Sequence, residues 1–259
     1  MLLNEFENIP AIIEPTDRGI RGGGEICDTI ILPFAGETVQ AAAACPETHI
    51  GGYLQNLNGK HFWYIYEKDK FKAAVSLAPV GAPALVGHLE ELNAKGFRRF
   101  IIMGTCGFLD ETIKNHDFIL PAAALRDEGT SYHYAAPSDE IAYDSALLSA
   151  MSKIFDRHGI GYITAKTWTT DAFYRETPAK AQRRLAAGAQ VVDMEAAAVM
   201  AWAQFRKVPV YQFFYPADYV NSISHKWETR RKDLAASEAL LDLALTIAKE
   251  VEDEAILET

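Results

Sequence analysis

Asp193 and Glu195 stand two residues apart in VVDMEAAAVM (191–200), where an apolar, strand-like run gives way to an alanine-rich, helix-like one. Carboxylates beside a core are uncommon, and the pair has two readings. One is that an acid at this junction takes part in chemistry. Both acids equally suit the first turn of a helix, where the helix dipole favours negative charge. An exposed first-turn acid does not need the flanking VV and AAAV, so Glu195 is read as functional and Asp193 as mainly structural.

Other chemistries have weaker sequence support. The chain has no GxxxxGK[ST], HExxH or GxSxG, which sets aside the phosphate-loop, zinc-protease and serine-elbow classes. RGGGE (21–25) has the composition of a phosphate nest. It precedes its strand, whereas a dinucleotide fingerprint follows one, so it is read as a surface loop. The seven histidines show no metal-ligand spacing, and no metal site is expected. Cys106 could pair with a distant histidine as a thiol nucleophile, but a small buried residue in the Gly-rich turn GTCG (104–107) is the preferred reading.

The elements that must position these residues alternate. β-rich runs lie at 29–34, 61–66, 73–79, 100–104, 118–122, 162–167 and 208–215. FIIMG reads as a strand buried on both faces. Helical periodicity covers 83–95, 139–158, 178–187, 194–205 and 230–251, three of these ending at Gly96, Gly159 and Gly188. The alternation predicts an α/β fold with helices covering a mostly parallel or mixed sheet. Ligands collect at strand C-terminal ends in such sheets, which directs attention to GTCG, WTTD (168–171) and PAD (216–218), each expected directly after a strand.

The 259 residues, 49% hydrophobic and 23% charged, suit one large domain. A net charge of −10 disfavours nucleic acid as a partner. The basic cluster Lys226, Arg230, Arg231 and Lys232 reads as a solvated helix face. No run reaches the roughly 18 apolar residues of a membrane span, so no membrane association is expected. The N-terminus MLLNEFENIPAII lacks the basic start of a secretory signal. Cys27, Cys45 and Cys106 suggest no disulfide framework, and a reduced cytoplasm is the expected setting.

Four segments add a resemblance. FIIMGTCGFLDETIKNHDFILPAAALRDEGTSYHY (100–134), KTWTTDAFYRE (166–176), VVDMEAAAVMAWAQF (191–205) and FFYPAD (213–218) occur in an order and spacing that resembles the nucleoside phosphorylase/nucleosidase superfamily. That superfamily includes uridine phosphorylases, hexameric-type purine nucleoside phosphorylases and adenosylhomocysteine nucleosidases. The resemblance implies a single-domain three-layer α/β/α fold with a distorted mixed β-sheet at 28–252, after an N-terminal extension at 1–27 and before a tail at 253–259. It implies cleavage of the N-glycosidic bond of a nucleoside through a cation-like sugar.

By the same resemblance, Glu195 and Met194 bind the ribose, and Asp193 stands where the family has a longer Glu. Phe173 stacks on the base, after Thr169, Thr170 and Asp171. Asp218 protonates a purine leaving group. Gly107 and Arg175 fall at base-binding positions. Only Arg175 and Glu176 stand where uridine phosphorylases place Gln and Arg, which favours a purine slightly over uridine. Roles for Glu128 and His133 in EGTSYHY, and for Arg230 and Arg231 after the acid, stay open.

The nucleophile site departs from the family. LPFAGET (32–38) has no arginine where the family has one, Ile102 replaces another, and the chain has no arginine between Arg21 and Arg98. Thr105 alone remains as a phosphate or sugar ligand, with Arg18, Arg21 or Arg126 as substitutes in a rebuilt site. The leading expectation is phosphorolysis to base and ribose 1-phosphate, with phosphate as co-substrate and no cofactor. Its alternatives are a phosphate-independent nucleosidase and a catalytically silent nucleoside-binding homologue. The resemblance also implies a homodimer or hexamer.

Overall fold

Ile30, Ile31 and Leu32, and likewise the run from Phe100 to Met103, have no exposed surface, because both faces of their strands are covered. Alternate residues feed two separate cores. Ile30, Leu32, Phe100 and Ile102 pack with Leu85, Leu89 and Trp202 on one face. Ile31, Ile101 and Met103 pack with Ile154, Phe155 and Ile247 on the other. The result is three layers, helices over sheet over helices, as expected.

This computed structural model describes residues 5–17, 22–113, 118–221, 226–229 and 237–257, with side chains left aside at 216–221, 226–229 and 254–257. Its strands are β1 (Gly22–Gly24), β2 (Thr29–Pro33), β3 (Thr48–Asn56), β4 (Gly59–Lys68), β5 (Phe71–Ser76) and β6 (Arg99–Phe108). They continue with β7 (Phe118–Asp127), β8 (Glu140–Ala142), β9 (Tyr162–Thr170), β10 (Ala189–Asp193), β11 (Val210–Asn221) and β12 (Lys226–Thr229). The helices are α1 (Gly36–Ala44), α2 (Ala82–Lys95), α3 (Ser145–Arg157), α4 (Pro178–Ala186), α5 (Ala196–Arg206) and α6 (Ser237–Leu257).

All twelve strands join one mixed sheet. β5, β2, β6 and β11 form one parallel set, and β7, β9 and β10 another. The sets meet antiparallel where Val191 and Val192 of β10 face Phe108 and Gly107 of β6. β11 pairs with both β6 and β7, so β6, β10, β9, β7 and β11 close a ring. This closure is the distortion of the sheet. It brings the C-terminal ends of both parallel sets to one place, a topological switch point of the kind that holds ligands.

Several sequence expectations are corrected. GTCG, WTT and PAD do not follow their strands; β6, β9 and β11 run through them. RGGGE is not a loop: Gly22–Gly24 pair antiparallel with residues 52–54 of β3, satisfying edge backbone groups. The helix expected from 139 starts at Ser145, because β8 uses 140–142 and Asp144 caps α3 by accepting the N–H groups of Ala146 and Leu147. α1, in GETVQAAAA, was not expected. Lys226 begins a strand rather than a helix face, and Arg230, Arg231 and Lys232 lie outside the described residues.

Candidate active site

The turn from β10 into α5 is held by side chains rather than by its own backbone. The first N–H groups of a helix have no intrahelical partner. Here Asp193 Oδ2 accepts those of Glu195 and Ala196 at 2.7 and 2.6 Å, and Thr169 Oγ1 accepts that of Ala197 at 3.0 Å. Asp193 Oδ1 accepts from the hydroxyls of Thr167 and Thr169 at 2.9 and 2.8 Å. The register Thr169 opposite Asp193 on parallel β9 and β10 makes this possible. α5 then runs through AAAVMAW, wholly buried, and stops at Lys207, whose φ of 55° breaks the helix two residues before Pro209.

Glu195 is freed by this arrangement. It does not cap α5. Its Oε1 instead accepts the N–H of Gly81, just before α2, at 2.6 Å, and its side chain is among the buried charged groups, the residue being 8% exposed. Gly81 has φ 97° and ψ 137°, which L-residues avoid, so glycine is required to aim this N–H. Glycine also matters at Gly104, where a Cβ would come within 2.6 Å of the Phe34 ring.

Burial, and then the charge of Asp193, push the Glu195 carboxyl up to about 8; the N–H groups of Gly81 and Met194 pull against them. Burial also raises Asp193, but the N–H groups of Ala196 and Glu195 and the hydroxyls of Thr169 and Thr167 favour its ionised form. The ionised form of Asp193 thus has four protein hydrogen-bond donors, against two, the N–H groups of Gly81 and Met194, for Glu195.

The other candidates gather around this turn to different degrees. Met194, half-buried, lies between the two acids. Gly107 is buried in β6 between Val192 of β10 and Asp218 of β11. Two strand spacings, about 10 Å, therefore separate the backbones of Asp218 and Val192. The Asp218 side chain lies outside the described ones. Thr105 is exposed on β6, two residues before Gly107. Phe173 and Arg175 form a short 3-10 turn after β9. Phe173 is 48% exposed and its ring centroid is 4.0 Å from that of Tyr174, so it is not a core residue and keeps a face for stacking.

Arg126 does not serve as a substitute phosphate ligand. It is buried, donating to Ser131 Oγ, Ser138 Oγ and the carbonyls of Ala135 and Ala136, with its guanidinium 4.0 Å from the centre of the Tyr132 ring. Arg18 and Arg21 lie outside the described residues. His133 is exposed and lines a groove of about 1320 Å³ beneath residues 5–15, with Tyr134, Glu90 and Arg206; the candidate residues lie elsewhere. Cys106 is buried in β6 rather than in a turn.

Sequence reasoning missed Gly81, whose signal is the Gly-Ala-Pro start of α2, and left Asp171 and Glu128 without roles. Asp171 accepts the Gly129 N–H at 3.1 Å. Glu128, just beyond β7, accepts the Ser131 N–H through Oε2, while its buried Oε1 has no partner among the described residues. Burial pushes its carboxyl up, with a smaller contribution from Asp171. Glu128 and Asp171 thus follow β7 and β9, Asp193 ends β10 and Glu195 comes two residues later, and none of the four has a cation within ion-pair distance among the described residues.

The chain is 27% identical over 182 residues to a guanosine phosphorylase of Halorubrum lacusprofundi, covering 70% of this chain and 74% of the relative. It is 24% identical over 189 residues to a DeoD-type purine nucleoside phosphorylase of Bacillus cereus, covering 68% and 75%. A uridine phosphorylase of Thermococcus kodakarensis is 31% identical over 117 residues, 44% of this chain and only 42% of the relative. Among solved structures, the fold matches a purine nucleoside phosphorylase from Toxoplasma gondii in complex with immucillin-H (TM-score 0.70, 17% identity, 87% of this chain and 90% of that one). It matches a uridine phosphorylase from Vibrio fischeri equally well (TM-score 0.70, 17% identity, 88% and 93%). The sequence model of the phosphorylase superfamily spans residues 29–251, and the chain belongs to that superfamily.

Proposed function

We propose that the protein cleaves the N-glycosidic bond of a nucleoside by phosphorolysis, releasing the base and a sugar 1-phosphate. Family membership supports phosphate as the nucleophile, since the relatives described above carry phosphorylase names. The observation that carries the site is Glu195: a buried carboxyl at the meeting of two sets of strand ends, held by Gly81 and backed by Asp193. Such a group accepts hydrogen bonds from sugar hydroxyls and stabilises positive charge on the sugar. Met194 packs on the sugar, Phe173 stacks on the base, and Asp218 protonates it, a purine being favoured over uracil. The reading includes a homodimer or hexamer in the cytoplasm.

Hydrolysis is the second reading, and a specific observation favours it. Four acids stand at or just beyond the strand ends, while Arg126, the one described arginine considered for phosphate, is committed elsewhere. An anionic nucleophile is repelled by such a site, whereas water is not. Base release from inosine, guanosine, adenosine and uridine, with and without phosphate, separates the readings. Phosphorolysis gives phosphate-dependent release with sugar 1-phosphate formed. Equal rates in phosphate-free buffer overturn it in favour of hydrolysis. A nucleoside-induced rise in Tm without turnover, lost in Glu195→Ala, would identify a silent binder.

A further inference from the structure

Asp193 occupies a position where the resemblance sets a longer acid, yet its oxygens are already occupied. Each accepts two hydrogen bonds, Oδ1 from Thr167 and Thr169 and Oδ2 from the N–H groups of Glu195 and Ala196. A carboxylate has about four acceptor sites, so nothing remains for a substrate hydroxyl. The two threonines come from the same face of β9, one full pleat apart, and Thr169 extends the lock to the Ala197 N–H.

We propose that Asp193 is a positioning residue for nucleoside cleavage: it reaches the substrate only through Glu195, by fixing the turn that carries Glu195 and by setting a second negative charge behind it. The inference rests on the cleavage reading given above. The groups that face Glu195 are Asp193 at the end of β10, Asp171 beyond β9, the Gly81 N–H from the start of α2 and the Met194 N–H. The three side chains involved are acids, and no described Lys or Arg pairs with Glu195. An ionised Glu195 is therefore unfavourable in the empty site and better compensated beneath a sugar that carries positive charge. Only an interaction that strengthens towards the transition state accelerates the reaction, and this is such an interaction.

Two kinds of variant separate charge from position. In Asp193→Asn the amide oxygen still accepts the two backbone N–H groups, while the NH2 donates to the threonine hydroxyls, which rotate to accept. The geometry stays and the charge goes. The Glu195 titration, read by 13C NMR of its side-chain carboxyl, is expected to fall by about one pH unit or more, and the pH profile of kcat to move with it. Thr169→Val keeps the charge and loosens the turn: kcat falls about tenfold to a hundredfold with the Glu195 titration unmoved, and Thr169→Ser restores it. An unchanged Glu195 titration in Asp193→Asn overturns the inference. If that variant does not fold, equal kcat in Thr169→Val and wild type overturns it instead. If the wild-type protein releases no base from any nucleoside, the cleavage reading fails, while the NMR titration still decides whether Asp193 acts on Glu195.

Discussion

Replacing Gly81 by alanine perturbs the site without touching a side chain. A Cβ at this position meets nothing within 4 Å, so crowding contributes nothing. The backbone penalty comes from φ 97° and ψ 137°, a region nearly closed to L-residues, and amounts to about 1–3 kcal/mol. For a chain of this size each kcal/mol lowers Tm by about 2–4 °C. The strain is relieved by rotating the 80–81 peptide, which turns the Gly81 N–H away from Glu195. The lost bond, 2.6 Å long to a carboxylate, is of the class that contributes about 1.5–3 kcal/mol. Because that N–H favours the ionised form, its loss moves the Glu195 titration upward, above about 8. Calorimetry on Gly81→Ala, together with carboxyl NMR, measures both effects. A variant with unchanged Tm and an unchanged Glu195 titration refutes the reasoning, because the turn would then be neither strained nor coupled to the acid.

Glu195→Gln is expected to lower kcat/KM by about a hundredfold to a thousandfold, the usual effect of removing one electrostatic stabiliser. The raised carboxyl also has a stability signature: from its ordinary value of 4.5 up to about 8, the unfolded chain binds fewer protons at this site than the folded one, so stability falls as pH rises through that window. In urea titrations Glu195→Gln lacks this slope, and matching slopes would refute the assignment. Trp202→Ala removes a fully buried ring that meets Phe100 edge-on at 5.2 Å and is expected to destabilise by about 3–5 kcal/mol. The urea midpoint falls while the slope m stays constant, and a loss below about 1 kcal/mol contradicts the packing described. Phe173→Ala is expected to raise KM about tenfold, within the range for one base–aromatic stack, with Tm nearly unchanged because the ring is half-exposed; an unchanged KM removes Phe173 from the base site.

The central strands and helices were legible because their periodicities are strong. FIIMG reads as a strand covered on both faces, and residues 83–95 carry a helical stripe closed by Gly96. What escaped was GGG as an edge strand, the nine-residue β3, the three-residue β8, β12, and α1, whose alanines fit more than one state. Tertiary pairing decided those, since an edge strand exists only where a neighbour offers hydrogen bonds.

The same division holds at the site. The sequence by itself determined that two acids flank Met194 at a strand-to-helix junction, that one of them lies in a wholly apolar context, and that no arginine stands between Arg21 and Arg98. The sequence already favoured Glu195 over Asp193 as the functional acid; the tertiary structure supplied the partners that occupy Asp193 and leave Glu195 with the Gly81 N–H. Those partners include Thr167 and Thr169, some 25 residues before the turn, and Gly81, 114 residues before Glu195. Hydrogen bonds between parallel strands and between separate helices have no fixed spacing along the chain. The parallel pairing of β9 with β10 brings the threonines, and the packing of α2 against α5 brings the Gly81 N–H, within 3 Å of the two carboxylates.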